Sequence, residues 1–224
     1  GRIEALPGFE AGRWWVQDFA ASLPAMLLGD VAGKRVIDLC AAPGGKTLQL
    51  ASAGAQVTAV DIAPDRLALI RENLARVNVE AELAEADARE WRPSELAPFV
   101  LLDAPCIATG TIRRHPDLPW IKSAADLTIS EPLQSELLDA AADMTAPGGV
   151  LVYAVCSLEP EEGPEQVDAF LRRRTDFARA PIASEEVFDR TFVASEGDLR
   201  TLPSFWSNRG GMDGFYAARL RRTG

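Results

Sequence analysis

The chain of 224 residues has few cysteines, a single histidine and no long apolar run. Its three cysteines form no CxxC pair, so neither a disulfide framework nor a structural zinc site is expected, and no metal is predicted. No apolar segment approaches the roughly 20 residues of a membrane span, and no positively charged leader with an apolar region opens the chain. These absences predict a cytoplasmic protein with free thiols and no membrane partner.

The net charge of −10 argues against a strongly basic nucleic-acid-binding surface. Basic residues are nevertheless clustered at positions 113–114 and 172–174 and near the C-terminus. Such clusters are usually solvated surface, and contact with phosphate is the alternative. The length predicts one catalytic domain at residues 31–224, with an extension and helix at 1–30 packed on it. The chain begins with Gly1, so a preceding domain is expected to be missing; a monomer is expected.

Short apolar runs alternate with amphipathic segments along the chain. Strands are predicted at 35–39, 57–60, 81–84, 99–102, 150–153 and 215–220. Helices are predicted at residues 16–28, 64–77, 127–144 and 165–173. A further helix is predicted to follow residue 47 and to end at about residue 53. Ser130 is the predicted cap of the fourth helix. This alternation predicts an α/β fold whose mostly parallel sheet carries helices on both faces, with an antiparallel strand at the C-terminus.

A loop of small residues follows the first predicted strand. It reads Cys40-Ala41-Ala42-Pro43-Gly44-Gly45-Lys46-Thr47 and runs into a helix. Small residues let a ligand approach the backbone, and amide groups at a helix N-terminus bind anionic groups. A Walker A loop would require glycine at position 40, and the dinucleotide motif GxGxxG is absent. The loop therefore predicts a smaller nucleoside ligand that bears a carboxylate.

Acidic residues follow the next two predicted strands. Asp61 comes 17 residues after Gly44, at a strand end that suits contact with ribose hydroxyls. The alternative is a turn aspartate before Pro64. Asp87 follows the third predicted strand and is interpreted as a contact for adenine.

Two cysteines, Cys106 and Cys156, each come just after an apolar run that predicts a buried strand. Ligands bind outside the carboxyl ends of strands in open α/β sheets, so both thiols are expected at the ligand edge, close to Asp103. An isolated cysteine is otherwise a small buried apolar residue, and Cys40 is interpreted in that way.

The segment after Cys106 predicts a long functional loop at residues 106–122. Arg113, Arg114 and His115 make this loop locally basic, and Trp120 offers an aromatic face on which a base could stack. These side chains are candidate substrate contacts. The alternative for His115 is a surface histidine.

On these residues the chain resembles the RsmB-like (Sun/Fmu-type) RNA cytosine carbon-5 methyltransferases. The matching motifs lie at residues 38–47, 103–106, 112–117 and 153–157, and the resemblance extends from Trp14 to Phe215. It implies a Rossmann-like fold dependent on S-adenosylmethionine (SAM), with a mostly parallel seven-stranded sheet. It also implies RNA, above all ribosomal RNA, as the partner. Members of the family commonly carry an N-terminal RNA-binding domain, which is not expected in this chain.

The resemblance also implies roles for individual residues. Cys156 matches the family's nucleophile, Cys106 the cysteine that assists product release, and Asp103 a position between cofactor and base. The implied cofactor contacts are Cys40, Ala41, Ala42, Pro43, Gly44, Gly45 and Lys46 around the methionine part of SAM, Asp61 at the ribose with Arg66 nearby, Asp87 at the adenine, and Asp103. The chain departs from the family after Cys106, where Ile107-Ala108 replaces the usual Ser-Gly.

The chemistry of cytosine explains why a thiol is needed. Carbon 5 is a poor nucleophile, and addition of a thiolate at carbon 6 makes the ring enamine-like, so that carbon 5 can attack a methyl group. The expected activity is RNA 5-methylcytosine formation through a Cys156 adduct. Alternatives are a methyltransferase for tRNA or DNA, a SAM-binding RNA-associated protein with little catalysis, and a ribosome-assembly factor that binds rRNA without SAM.

Overall fold

A mixed β-sheet runs through the computed structural model, which describes residues 2–224; Gly1, part of the predicted extension, lies outside them. The strands are β1 (Arg35–Leu39), β2 (Gln56–Asp61), β3 (Glu82–Glu85), β4 (Ala97–Asp103), β5 (Thr145–Val155), β6 (Phe177–Arg179), β7 (Leu199–Thr201) and β8 (Phe215–Arg222). The helices are α1 (Phe19–Met26), α2 (Gly45–Ser52), α3 (Pro64–Val77), α4 (Leu118–Ile121), α5 (Ala124–Met144) and α6 (Pro164–Arg173). The predicted α/β class is confirmed.

The strand order is β3-β2-β1-β4-β5-β8-β6, with β1 to β5 parallel and β8 antiparallel to β5. The sheet has eight strands, one more than predicted. The additional strand does not widen the sheet, because β6 and β7 both pair with β8. Strand β6 pairs with residues 220–222 of β8, and β7 pairs with residues 215–217. Strands β2 and β3 are added on one side of β1, and β4 and β5 on the other, so the strand order reverses between β1 and β4. The crevice outside the carboxyl ends of these two strands is the expected ligand position.

Apolar side chains on alternate strand positions form a core on each face of the sheet. On one face, Leu102 and Tyr153 pack with α5 and α6. On the other, Leu101 and Val152 pack with α1, while Ala59 packs with α2 and α3. Buried strands with helices on both sides explain the near-continuous apolar runs of the sequence.

Two predicted helix starts are wrong by several residues. The first helix begins at Phe19 rather than residue 16, because the Asp18 carboxylate caps it by accepting from Ala20 N at 2.9 Å. The long helix α5 begins at Ala124, where Ser123 and Asp126 form a capping box. Ser130, the predicted cap, lies inside this helix and bonds Glu162 instead.

The segment before α1 packs on α3. Arg76 of α3 donates to the carbonyls of Phe9 and Trp14 at 2.8 and 3.0 Å. In the part of the chain that the structure describes, no helix has the length and apolar character needed to cross a membrane.

Candidate active site

The carboxyl ends of β1, β4 and β5 open on one cleft of about 740 Å³. Its lining includes Ala41 and Lys46 from the loop after β1, Asp103 from the end of β4, and Cys156 just after β5. Parallel strands bring these residues together because their carboxyl ends share one sheet edge. The cleft extends to the segment before α1, which contributes Trp15 among other residues.

The loop between β1 and α2 has an unusual backbone that glycine makes possible. Gly44 has φ +101°, and a Cβ there would lie 2.9 Å from the Ile70 side chain. Arg66 donates to the Ala42 carbonyl, and Asp61 accepts from Ala42 N at 3.0 Å. The loop is thus fixed from α3 and from the end of β2, and α2 begins at Gly45 with its first amide groups free of helical partners.

The two acids predicted to contact the nucleoside differ in their surroundings. Asp61 is buried and accepts from Ala42 N and Ala63 N at 3.0 Å each, but each carboxylate oxygen can accept a further hydrogen bond. Asp87 pairs with Arg89 at 2.6 Å, and these hydrogen bonds hold the pKa of its carboxyl below the usual range. The ribose and adenine contacts remain predictions.

An ion pair crosses the cleft between Lys46 and Asp103. Lys46 Nζ lies 2.7 Å from Asp103 Oδ2 and 5.1 Å from the centre of the Phe215 ring. Beneath it, Asp38 is buried and accepts from Thr47 Oγ1 at 2.6 Å. Burial raises the pKa of Asp38 to about 7, against the opposing effects of Thr47 and Lys46. Lys46 is thus a nearly buried cation paired with Asp103, the acid that lines the cleft.

The two candidate thiols lie side by side. The Sγ atoms of Cys106 and Cys156 are 3.5 Å apart. Two backbone bonds join their segments, from Ala104 N to Ala154 O at 2.8 Å and from Gly110 N to Cys156 O at 3.0 Å. The hydrogen bond to Cys156, together with burial, raises the pKa of the Cys106 thiol well above its usual value. Burial and neighbouring acids also raise the pKa of Cys40.

Hydrogen bonds fix the backbone on both sides of Cys106. Gln134 Nε2 donates to Pro105 O at 2.9 Å, and Ile107 N donates to Glu162 at 3.1 Å. Sequence reasoning missed both side chains. The available signal was a glutamine on the apolar face of α5, between Ser130 and Leu137.

The basic loop after Cys106 is engaged in ion pairs within the chain. Arg114 binds the buried Asp213 through Nε at 3.0 Å and Nη2 at 2.5 Å from Oδ2. Arg113 Nη2 lies 2.8 Å from Asp18 Oδ2. Asp18 and Asp213 were missed because they are more than ninety residues away in the chain. The predicted contact with RNA remains a prediction.

Two other parts of that loop are exposed. His115 is exposed, and Trp120 presents 87% of its surface to solvent. Within residues 2–224, no group of three or more His, Cys, Asp or Glu side chains is placed to hold a metal ion.

Residues 25–221 match the family described as 16S rRNA methyltransferase RsmB/F. Ribosomal RNA small subunit methyltransferase B of Vibrio vulnificus is 43% identical over 97% of this chain, and the match covers 49% of that protein. NSun6 from Pyrococcus horikoshii with SFG is 27% identical, with a TM-score of 0.85, covering 100% of this chain and 57% of that one. A methyltransferase homolog protein from the same organism is 28% identical, with a TM-score of 0.80, covering 99% and 72%. The chain spans about half the length of the curated relatives it matches.

Proposed function

Because this chain belongs to the RsmB/F family of 16S rRNA methyltransferases, we propose that it transfers a methyl group from SAM to carbon 5 of a cytosine in ribosomal RNA. The observation that carries the proposal is the pair of thiols, Cys106 and Cys156, with Sγ atoms 3.5 Å apart at the ligand edge of the sheet. A cytoplasmic setting goes with this proposal.

The cleft suits SAM in size and charge. A volume of about 740 Å³ lies within the range of small-molecule sites. The free amides at the start of α2 suit a carboxylate, and the buried Asp61 has acceptor capacity for ribose hydroxyls. The carboxylate of Asp103, which lines the cleft, suits a cationic sulfonium ligand. When bound there, SAM supplies an electrophilic methyl group.

In the proposed mechanism, the Cys156 thiolate adds to carbon 6 of a cytosine that has left its base stack. Asp103 accepts or donates a hydrogen bond at the ring nitrogen or amino group and so stabilises charge that develops on the base. Lys46, 2.7 Å from Asp103, orients that carboxylate. Addition turns carbon 5 into the nucleophile that takes the methyl group.

Release requires that the proton on carbon 5 be removed before the Cys156 sulfur departs. Cys106 is the group that we assign to this step, as its thiolate, directly or through a water molecule. In the adduct the Cys156 sulfur is bonded to carbon 6, so the hydrogen bond that is the first cause of the raised Cys106 pKa is gone. Cys106 Sγ lies 3.5 Å from Cys156, close to where the adduct would form. An enzyme that lacks this thiol is expected to methylate once and remain attached to its RNA.

The test is a trapping assay. Cys106→Ala protein is mixed with SAM and total RNA, and a protein–RNA adduct that resists denaturation is sought, with the Cys106→Ala/Cys156→Ala double variant as control. We expect an adduct with ribosomal RNA that the double variant does not form. Sequencing the attached RNA identifies the substrate. If the attached RNA is tRNA, the proposal that ribosomal RNA is the substrate is wrong. If no adduct forms although calorimetry shows SAM binding, the proposed covalent mechanism is wrong.

A further inference from the structure

We infer that Glu162 is a positioning residue for Cys106, and that it acts in the release of methylated RNA rather than in formation of the adduct. The inference rests on the proposed function, in which Cys106 removes the carbon-5 proton. Three side chains of the described structure carry it, namely Ser130, Gln134 and Glu162, which we call the Cys106 clamp.

Glu162 is fully buried, and three uncharged donors converge on its carboxylate. Ile107 N lies 3.1 and 3.2 Å from its two oxygens. Ser130 Oγ donates to Oε1 at 2.6 Å, and Gln134 Nε2 donates to the same oxygen at 2.9 Å. Burying a carboxylate is costly even with such donors, and an apolar side chain would fill the space at less cost. The carboxylate is therefore expected to serve its neighbours rather than the stability of the fold.

The clamp binds the peptide groups on both sides of Cys106. Glu162 accepts from the amide that follows the cysteine, and Gln134 donates to the Pro105 carbonyl that precedes it, at 2.9 Å. Gln134 and Ser130 both project from α5, a helix of 21 residues packed on the sheet. The backbone of Cys106 is thus attached to a rigid element at two points, which fixes the direction of its thiol.

Glu162 is also tied to the segment that carries the other thiol. Its own carbonyl accepts from the Tyr153 hydroxyl at 2.7 Å, and Tyr153 lies on β5, which ends just before Cys156. One residue therefore bonds the Cys106 loop through its side chain and the strand leading to Cys156 through its main chain. The 3.5 Å separation of the two sulfurs depends on both attachments.

Replacing the carboxylate by an amide should move Cys106 and leave Cys156 in place. In Glu162→Gln, an amide oxygen at the Oε1 position can keep all three donors, but NH₂ then replaces the oxygen that lies 3.2 Å from Ile107 N. The amide that follows Cys106 loses half of its shared hydrogen bond and faces a second donor, which is a repulsive contact. Cys156 keeps its backbone bond from Gly110 N, and β5 keeps its strand pairing. A displaced Cys106 is expected to slow release by about ten- to a hundredfold, as for other small misplacements of catalytic groups.

The experiment compares four variants of the whole chain with SAM and the RNA identified by trapping. They are Glu162→Gln, Ser130→Ala, Cys106→Ala and, as a matched control, Glu165→Gln, which makes the same change at an exposed position nearby. The readouts are the first methyl transfer in a single turnover and the fraction of protein held as adduct. We expect Glu162→Gln to accumulate adduct as Cys106→Ala does, with the first transfer preserved. Ser130→Ala should do so to a lesser extent, and Glu165→Gln should behave as the unchanged protein.

The failures are distinguishable. If Cys106→Ala traps an adduct but Glu162→Gln and Ser130→Ala release RNA normally, Glu162 has no positioning role and the proposed function stands. If Glu162→Gln cannot form the adduct at all while Ser130→Ala forms and releases it normally, Glu162 serves the fold or Cys156 instead. If even Cys106→Ala traps nothing, the release role of Cys106 fails and the inference fails with it.

A second measurement needs no RNA. A bifunctional thiol reagent with a short span bridges two sulfurs that lie side by side, and mass spectrometry identifies the bridged peptides. The Cys106–Cys156 bridge should form several-fold more slowly in Glu162→Gln and in Ser130→Ala than in Glu165→Gln. Equal rates in all of them would overturn the inference, because the clamp would then have no effect on the thiol pair.

Discussion

Lys46 Nζ lies 2.7 Å from Asp103 Oδ2, although 57 residues separate them in the chain. The ion pair joins the loop after β1 to the end of β4, and Lys46 is almost fully buried in it. Asp38 and Asp61 lie close enough for their charges to matter to one another. Lys46 is therefore the cation that pairs with Asp103 and lies close enough to oppose the raised pKa of Asp38.

Lys46→Met should lower the free energy of unfolding at neutral pH by about 3 kcal/mol, because it leaves the acids without their cation while keeping most of the volume. Asp103 is partly exposed, and solvent screening places the expected loss at the lower end of values for buried pairs. Urea unfolding measures it. The Lys46→Met/Asp103→Asn double variant should recover part of the loss, and strict additivity of the two changes would contradict the pairing.

Asp38 should make the stability of the protein fall as pH rises from about 4 to about 7. Its pKa is about 7 in the fold against 3.8 in the unfolded chain, so the folded state binds the extra proton throughout that window. The free energy of unfolding should fall by about 1.4 kcal/mol for each pH unit across this window. Above the pKa of the folded state, the stabilisation by the extra proton is lost in full. Asp38→Asn keeps an acceptor for Thr47 and should gain stability relative to the unchanged protein as pH rises through this window. Parallel curves of unfolding free energy against pH would show that Asp38 is ionised in the fold.

Cys106 should resist alkylation near neutral pH and become more reactive when Cys156 is removed. The first cause of its raised pKa is the hydrogen bond to Cys156, followed by burial. In Cys156→Ala the first cause is gone, and the pH at which iodoacetamide modifies Cys106 should fall. Cys40 is an internal control, because burial and acids rather than Cys156 raise its pKa. Peptide mass spectrometry across a pH series measures both sites; an unchanged Cys106 profile would mean that the two sulfurs do not interact in solution.

Local patterns in the sequence predicted the elements that form the site. The apolar runs before Asp103 and Cys156 predicted strands, and parallel pairing alone then places the residues that follow them at one edge. The loop at residues 40–47 was predicted from its small residues, which the backbone at Gly44 requires. These features depend on neighbours in the chain, and a single sequence contains that information.

Contacts between distant segments could not be predicted in the same way. Nothing near Arg114 indicates that its partner is Asp213, and the strands β6 and β7 have three residues each, too few for a periodic pattern. The prediction of Ser130 as the cap was wrong because Ser123, seven residues earlier, also precedes apolar residues and forms the capping box. Tertiary packing decides between such equivalent local signals.

Arg114 provides a direct comparison of a structural and an RNA-binding role. Its guanidinium forms a bidentate pair with the buried Asp213, and that hydrogen bonding raises the pKa of Arg114. Arg114→Gln should therefore lower the free energy of unfolding by about 2 kcal/mol, mainly because Asp213 loses its partner. The slope of log affinity for RNA against log salt should not change. A slope smaller by about 1, with stability preserved, would instead identify a phosphate contact. Arg172→Gln, at an exposed position, is the control for loss of one charge.

Gly110 lies where the two thiol-bearing segments approach the C-terminal strand, and it should not tolerate a side chain. A Cβ there would lie 2.0 Å from Gly214 O and 2.8 Å from Cys156 O, both of them backbone atoms. Gly110→Ala must therefore separate the loop after β4 from the end of β5, with loss of the bond from Gly110 N to Cys156 O. We expect the trapped adduct to disappear even in a Cys106→Ala background, because the Cys156 segment moves.

Gly148→Ala is the matched control for Gly110→Ala. Gly148 has φ +73°, so alanine there strains the backbone, but a Cβ would meet no atom within 4 Å. Gly148 lies near the start of β5, at the opposite end of the strand from Cys156. The control should cost about 1 kcal/mol of stability and leave the adduct intact. If both variants lose the adduct equally, the effect is one of general stability; if Gly110→Ala retains it, the close approach of Gly110, Gly214 and Cys156 is not required for the reaction. Only loss confined to Gly110→Ala supports a site that depends on backbone contact between these three segments.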